Sequence, residues 1–167
     1  MVETAYHESG HAVVARVLGY DLLGISIDSD VEGKLGHSGS NVLPESLKQT
    51  SVWRKDAVSA DEWNAACDDV VIHLAGATAE EHLRAGTYVL DPNEPRSSDE
   101  TEIVGRIGRM CGPGYEAQDR LLVELTAKSR ALVEQHWETI DAVAKALLER
   151  TSMTGPETQD LINALSS

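Results

Sequence analysis

The sequence predicts a mainly α (α+β) domain with a small β-sheet, and three observations carry that prediction. Phe is absent and aromatic residues make up only 4% of the chain, so a core must be assembled from Leu, Val, Ile and Ala, which favours helix packing over a β-sandwich. Long stretches place apolar residues at helical spacing. Only two short segments near the N-terminus read as strands. With 167 residues, 41% hydrophobic and 25% charged, the chain suits one folded domain over 1–167 rather than two large ones or a disordered tract.

From Glu3 to Leu18 only Gly10 opposes a helix, and Gly19 supplies a stop. Leu22 to Asp28 and Lys34 to Ser38 flank an acidic, Gly-containing turn and read as a pair of strands. Pro44 closes that region, and the polar stretch from Glu45 to Trp63 is expected to form short helix and loop pieces. Glu62 to Leu83 is the second main helix, with Val70, Val71, Leu74, Ala75, Thr78 and Leu83 available to face a core, and a stop near Gly86. Turn chemistry follows from Asp91 to Arg96, after which Ser97 or Ser98 can cap a helix to about Met110, ended by Gly112-Pro113-Gly114. Gln118 to Glu149 reads as one long helix, with Leu121, Leu122, Leu125, Leu132, Val133, Ile140, Val143, Ala144 and Leu147 near the expected spacing. A last helix starts after Thr154, with Pro156 in its first turn and Leu161, Ile162 and Leu165 facing inward. No internal repeat or low-complexity tract is present.

The charge balance mainly excludes. Against 14 basic residues stand 28 acidic ones, a formal charge of −14, which would repel phosphate backbones and anionic lipid. Nucleic acid and membrane are therefore not expected as partners. No apolar run approaches a membrane span, and no basic-then-apolar signal pattern opens the sequence. Cys67 and Cys111 lack the close spacing of a zinc ribbon or redox motif and read as buried, reduced thiols. Together these features predict a cytoplasmic protein.

Chemistry enters with His7-Glu8-Ser9-Gly10-His11, which has the form H-E-x-x-H. On a helix the two His lie about one turn apart on one face, so both imidazoles can reach a single metal. Zinc takes imidazole nitrogen at about 2.0–2.1 Å, and a catalytic zinc keeps three protein ligands and leaves the fourth position to water. Bound zinc brings that water's pKa down to about 7, where a neighbouring carboxylate such as Glu8 can take its proton. The plain alternative is a solvated helix that carries the pattern by accident. Against it, Ala5, Ala12, Val13, Val14, Val17 and Leu18 make this helix largely apolar, so its His and Glu need partners inside. Gly10 in mid-helix costs roughly 1 kcal/mol against Ala and implies a backbone packed closely against it. The metzincin extension would need Gly at 14 and His at 17, where the chain has Val14 and Val17. The third ligand must then be a distant acid, with Glu80, Glu81 and Asp99 as candidates.

Thr4-Ala5-Tyr6-His7-Glu8-Ser9-Gly10-His11-Ala12 resembles the T-A-Y-H-E-A-G-H-A opening of the FtsH peptidase domain. In the same order, Ala75 to Glu81 resembles that family's G-G-R-x-A-E-E helix, Ser97-Ser98-Asp99 its S-N-D, and Leu147 to Gly155 its closing L-L-E-K-E-T-L-D-G. The likeness spans nearly the whole chain, and four ordered motifs are far more specific than H-E-x-x-H alone. It implies a zincin-like helical domain whose small sheet lies near the active-site helix. It also implies His7, His11 and Asp99 as ligands of one zinc per chain, Glu8 as catalytic base, and Glu81 or Glu80 as a supporting group that orients a ligand imidazole. Substrate would add as a strand along the edge strand Leu35-Gly36-His37-Ser38, where His37 could touch it, although an exposed strand His is the plainer reading.

The sequence shows no counterpart of the family's ATPase or membrane helices, so a stand-alone peptidase that works without ATP is expected. The Gly112–Asp119 link is also much shorter than the family's, so its hexamer is not implied. The expected function is a zinc metalloendopeptidase acting on flexible or unfolded polypeptides. The alternative is a catalytically idle zinc-binding module that holds a protein partner along its edge strand. Retention of Glu8 favours the enzyme, because a structural zinc would need a fourth protein ligand. A further protein partner or a homo-oligomer is left open.

Overall fold

The computed structural model describes residues 1–29, 35–84 and 98–165, with backbone alone at 29 and 35–38. The chain forms α1 (Val2–Val17), β1 (Leu22–Ser29), β2 (Leu35–Ser40), α2 (Glu45–Lys48), α3 (Ala60–Leu83), α4 (Ser98–Cys111), α5 (Tyr115–Gln135), α6 (Trp137–Arg150), β3 (Ser152–Thr154) and α7 (Gly155–Leu165). This is the mainly helical architecture with a small sheet that the composition predicts. Among the described residues no helix is long and apolar enough to cross a membrane.

The hub is α1, which packs on α3, α6 and the sheet. Ala5, Ala12, Val13 and Val14 on α1 and Val70, Val71, Ala75 and Ala79 on α3 are essentially inaccessible to solvent. The helix stops where Gly19 takes φ +94, a left-handed conformation that suits glycine. At the crossing, a Cβ on Gly10 would lie 2.6 Å from the Ala75 carbonyl oxygen and 2.9 Å from the Ala79 Cβ. Gly10 is thus the close-packing position its cost in mid-helix implies. Gly10→Ala is expected to destabilise: overpacking against backbone costs about 1–3 kcal/mol or more, and the gain in helix propensity, at most ~1 kcal/mol, does not offset it. A urea midpoint at or above that of the wild type would show instead that α1 and α3 can separate freely.

The sheet has the order β2-β1-β3, antiparallel throughout, with Ile25 opposite Ser38 on one side and Met153 on the other. Hence β2 is an edge strand of the described sheet. β3 was not expected: three residues are too few to show alternation, and only the docking of α7 beside β1 places them there.

Several expectations need correction. The single helix predicted for Gln118 to Glu149 is two, parted at His136 with φ −109 and ψ 20. No Gly or Pro marks the break, which tertiary packing imposes. α5 lies on α3, whereas α6 turns to lie on α1, where Trp137 stacks on Tyr6 at 5.5 Å between ring centroids. Leu165 is exposed rather than inward, because α7 ends there, while Ile162 is buried. Cys67 and Cys111 are half-buried rather than buried, and both are free thiols; burial pushes the Cys67 thiol up to about 11. Thr78 is also half-buried, and its hydroxyl donates to the Leu74 carbonyl at 2.8 Å. α3 starts before Glu62, through a capping box in which Ser59 and Glu62 accept each other's backbone N–H. Lys34, the stop near Gly86, the Asp91–Arg96 turn and the cap at Ser97 lie outside the described residues.

Candidate functional site

His7 and His11 stand one turn apart on α1 and face α3. His11 Nδ1 donates to the Ile72 carbonyl at 2.6 Å, and His7 Nδ1 donates to Glu80 Oε1 at 2.6 Å. Both partners are acceptors, so each ring's Nδ1 carries hydrogen and its Nε2 is turned to the other side. There the two Nε2 atoms meet at 3.0 Å. Asp99, in the first turn of α4, brings Oδ2 to 2.9 Å from His7 Nε2 and 3.4 Å from His11 Nε2.

The small residues of α3 make this convergence possible. A Cβ on Gly76 would stand 2.5 Å from His11 Nε2 and 2.7 Å from His7 Nε2, so a side chain there would occupy the space of the rings. Ile72, Gly76 and Glu80 recur every four residues on α3, which puts them along one face opposite His7 and His11.

The electrostatics fit a place for a cation. Burial opposes a charge on His7, yet hydrogen bonds to Asp99 and Glu80 outweigh it and push its pKa up to about 10. Burial likewise opposes charge on Asp99, but the His11, His7 and His73 rings that converge on it hold its carboxyl well below the usual carboxylate range. Without a metal, a proton on His7 supplies the positive charge that the surrounding acceptors favour. The donor set itself suits a metal ion: one atom from each of His7, His11 and Asp99 lies within 4.8 Å of the others. Ligand atoms on a tetrahedral zinc with bonds near 2.0–2.1 Å lie about 3.3 Å apart, close to the separations among these three.

Glu8 is 5% exposed on the same helix, and its charge acts on His7. Of the two acids proposed as supports, Glu80 reaches the His7 ring and Glu81 does not. Glu81 turns to α5 and pairs with Arg130 at 3.0 Å, because one residue along a helix rotates the side chain by about 100°. The backbone of Leu35, Gly36, His37 and Ser38 runs along the outer strand β2, while contacts of their side chains, His37 included, lie outside the described residues.

Sequence reasoning missed His73 and Asp69. His73 Nδ1 donates to Asp99 Oδ1 at 3.0 Å, and its Nε2 lies 3.8 Å from Asp69 Oδ2. Asp69 is buried and held by the Arg106 guanidinium, which also binds Glu102. A signal was present in the spacing Asp69-x3-His73-x2-Gly76-x3-Glu80, which sets polar and small residues on one face of an otherwise apolar helix. No protein-family model matches the chain, and no curated protein matches it significantly.

Proposed function

We propose that this chain is an FtsH-type zinc metalloendopeptidase that hydrolyses flexible or unfolded polypeptides without ATP, with His7, His11 and Asp99 as ligands of one zinc and Glu8 as general base. One observation carries the reading: both imidazoles of the H-E-x-x-H helix are tied back through Nδ1, so that their Nε2 atoms converge with Asp99 Oδ2. Zinc at those three donors would leave a position for water, lower that water's pKa to about 7 and polarise a peptide carbonyl. Glu8, next to His7 in sequence and sheltered from solvent, would take the water's proton and pass it to the leaving amine. Glu80 keeps the His7 ring aimed, and the Ile72 carbonyl does the same for His11. β2, as an edge strand, offers backbone hydrogen-bonding groups along which an extended polypeptide could lie. Folded proteins seldom offer such a segment. Repulsion from the acidic chain disfavours nucleic acid as a substrate.

The test is metal content and hydrolysis together. Purified protein reconstituted with excess zinc is expected to retain one zinc per chain, to cleave a disordered casein-like substrate without ATP, and to leave stably folded proteins intact. A chelator should abolish the cleavage. Absence of zinc after reconstitution would overturn the reading at its root. Stoichiometric zinc without cleavage of varied peptides would favour an idle zinc-binding module that holds a partner on the same edge.

A further inference from the structure

A carboxylate ligand can bind a metal through one oxygen or chelate it through both. The choice decides whether a site built on two imidazoles and one acid keeps a position open. Asp99 stands on α4, whereas His7, His11, Glu80 and Gly76 stand on α1 and α3. The aim of Asp99 therefore depends on contacts between helices. Its Oδ2 faces His7 and His11, and its Oδ1 accepts from His73 Nδ1 at 3.0 Å. His73 is about three-quarters buried, and its far nitrogen faces Asp69. Asp69 is fastened in turn by Arg106, which rises from the same helix as Asp99 and lies seven residues beyond it. The chain of contacts thus leaves α4 at Asp99, crosses α3 through His73 and Asp69, and returns to α4 at Arg106.

We infer that His73 is a positioning residue that occupies Oδ1 of Asp99 and so holds this ligand to a single oxygen, keeping the metal's remaining position free. The inference rests on the metal site proposed above. An Asp99 released from His73 can rotate about its terminal torsion and present both oxygens, and chelation would then set a fifth donor beside the water, crowding the position that substrate requires. Asp69 and Arg106 limit the motion of the His73 ring, so the hydrogen bond is aimed rather than fortuitous. The role belongs to Nδ1, which distinguishes it from a general need for bulk or polarity at position 73.

Wild type, His73→Ala, His73→Asn and His73→Gln are compared as full chains, with far-ultraviolet circular dichroism and urea midpoints recorded without metal. Zinc affinity is read by competition with a chromophoric chelator. Coordination number is read from the visible bands of Co2+, which are intense for four ligands and weak for five or six. The Asn amide places an N–H near the position of Nδ1, whereas the Gln amide carries it farther out. His73→Ala and His73→Gln are expected to bind zinc about 10–100-fold more weakly and to show weakened Co2+ bands. His73→Asn should stay within a few-fold of the wild type and keep its spectrum.

Unchanged affinity and spectrum in His73→Ala would overturn the inference while leaving the metal site intact. An Asn variant as impaired as the Ala variant would also overturn it. If His73→Ala does not fold, the Asn and Gln pair decides: Asn retaining and Gln losing supports the role, and equal behaviour refutes it. Failure of the wild type to take up either metal would instead remove the underlying site, an outcome separate from the others.

Discussion

Glu8→Gln is expected to keep zinc at the wild-type stoichiometry and to lose hydrolysis of a disordered casein-like substrate by about 10²–10⁴-fold, the usual worth of a positioned general base. The candidate donor atoms lie on His7, His11 and Asp99, so the amide leaves them in place. It also preserves the shape of a side chain that is only 5% exposed, so packing around α1 should be little disturbed. What it removes is the capacity to accept the water's proton. The comparison therefore separates chemistry from binding, which chelation cannot do. Equal cleavage by both proteins would mean that Glu8 is not the base, or that the cleavage belongs to a contaminating protease; inhibition controls on the Glu8→Gln preparation tell these apart.

Asp99→Ala should weaken zinc binding by more than 100-fold, while Glu81→Ala should bind nearly as the wild type does. Removal of Asp99 takes away one of three donors and the only carboxylate among them, and it strands the His73 ring beside Asp69. Truncation of Glu81 breaks an ion pair with Arg130 whose side chains are 38% and 59% exposed, an interaction worth no more than about 1 kcal/mol. The measurement is competition with a chelator of known zinc affinity. Similar losses in the two variants, or a larger loss for Glu81→Ala, would move the third ligand to α3.

Much of this site is legible in the sequence. His7, Glu8 and His11 announce themselves because their spacing matches one helical turn, and the neighbouring valines and alanines say that the helix is buried. Asp99 is different. Ninety-odd residues separate it from His7, and an acid in the first turn of a helix is ordinary; only the ordered resemblance singled it out from Glu80 and Glu81. The division of labour between those two acids was beyond the pattern, since adjacent residues differ in direction and the phase of α3 against α1 is set by packing. His73 is hidden for a related reason: its spacing from Asp69, Gly76 and Glu80 marks a face of α3, but nothing in it names the residue on α4 that meets that face. The break at His136 was hidden because it arises from where Trp137 docks, with no breaker residue at the position. β3 exists only through its neighbours, as short strands generally do.

The run from Asp69 to Glu80 on α3 works as a keyed shaft, with Asp69, the Ile72 and His73 pair, Gly76 and Glu80 as its teeth, each meshing with one part of α1 or α4. Such a shaft can exchange residues on its outer side freely, yet it cannot change length. One inserted or deleted residue turns everything beyond it by about 100° and shifts it by about 1.5 Å, which would carry Glu80 away from His7 and swing another side chain into the gap left by Gly76. Length variation among natural or engineered forms should therefore be confined to the connections between helices, and an alignment that opens a gap between Asp69 and Glu80 would be aligning this chain to a protein with a different centre.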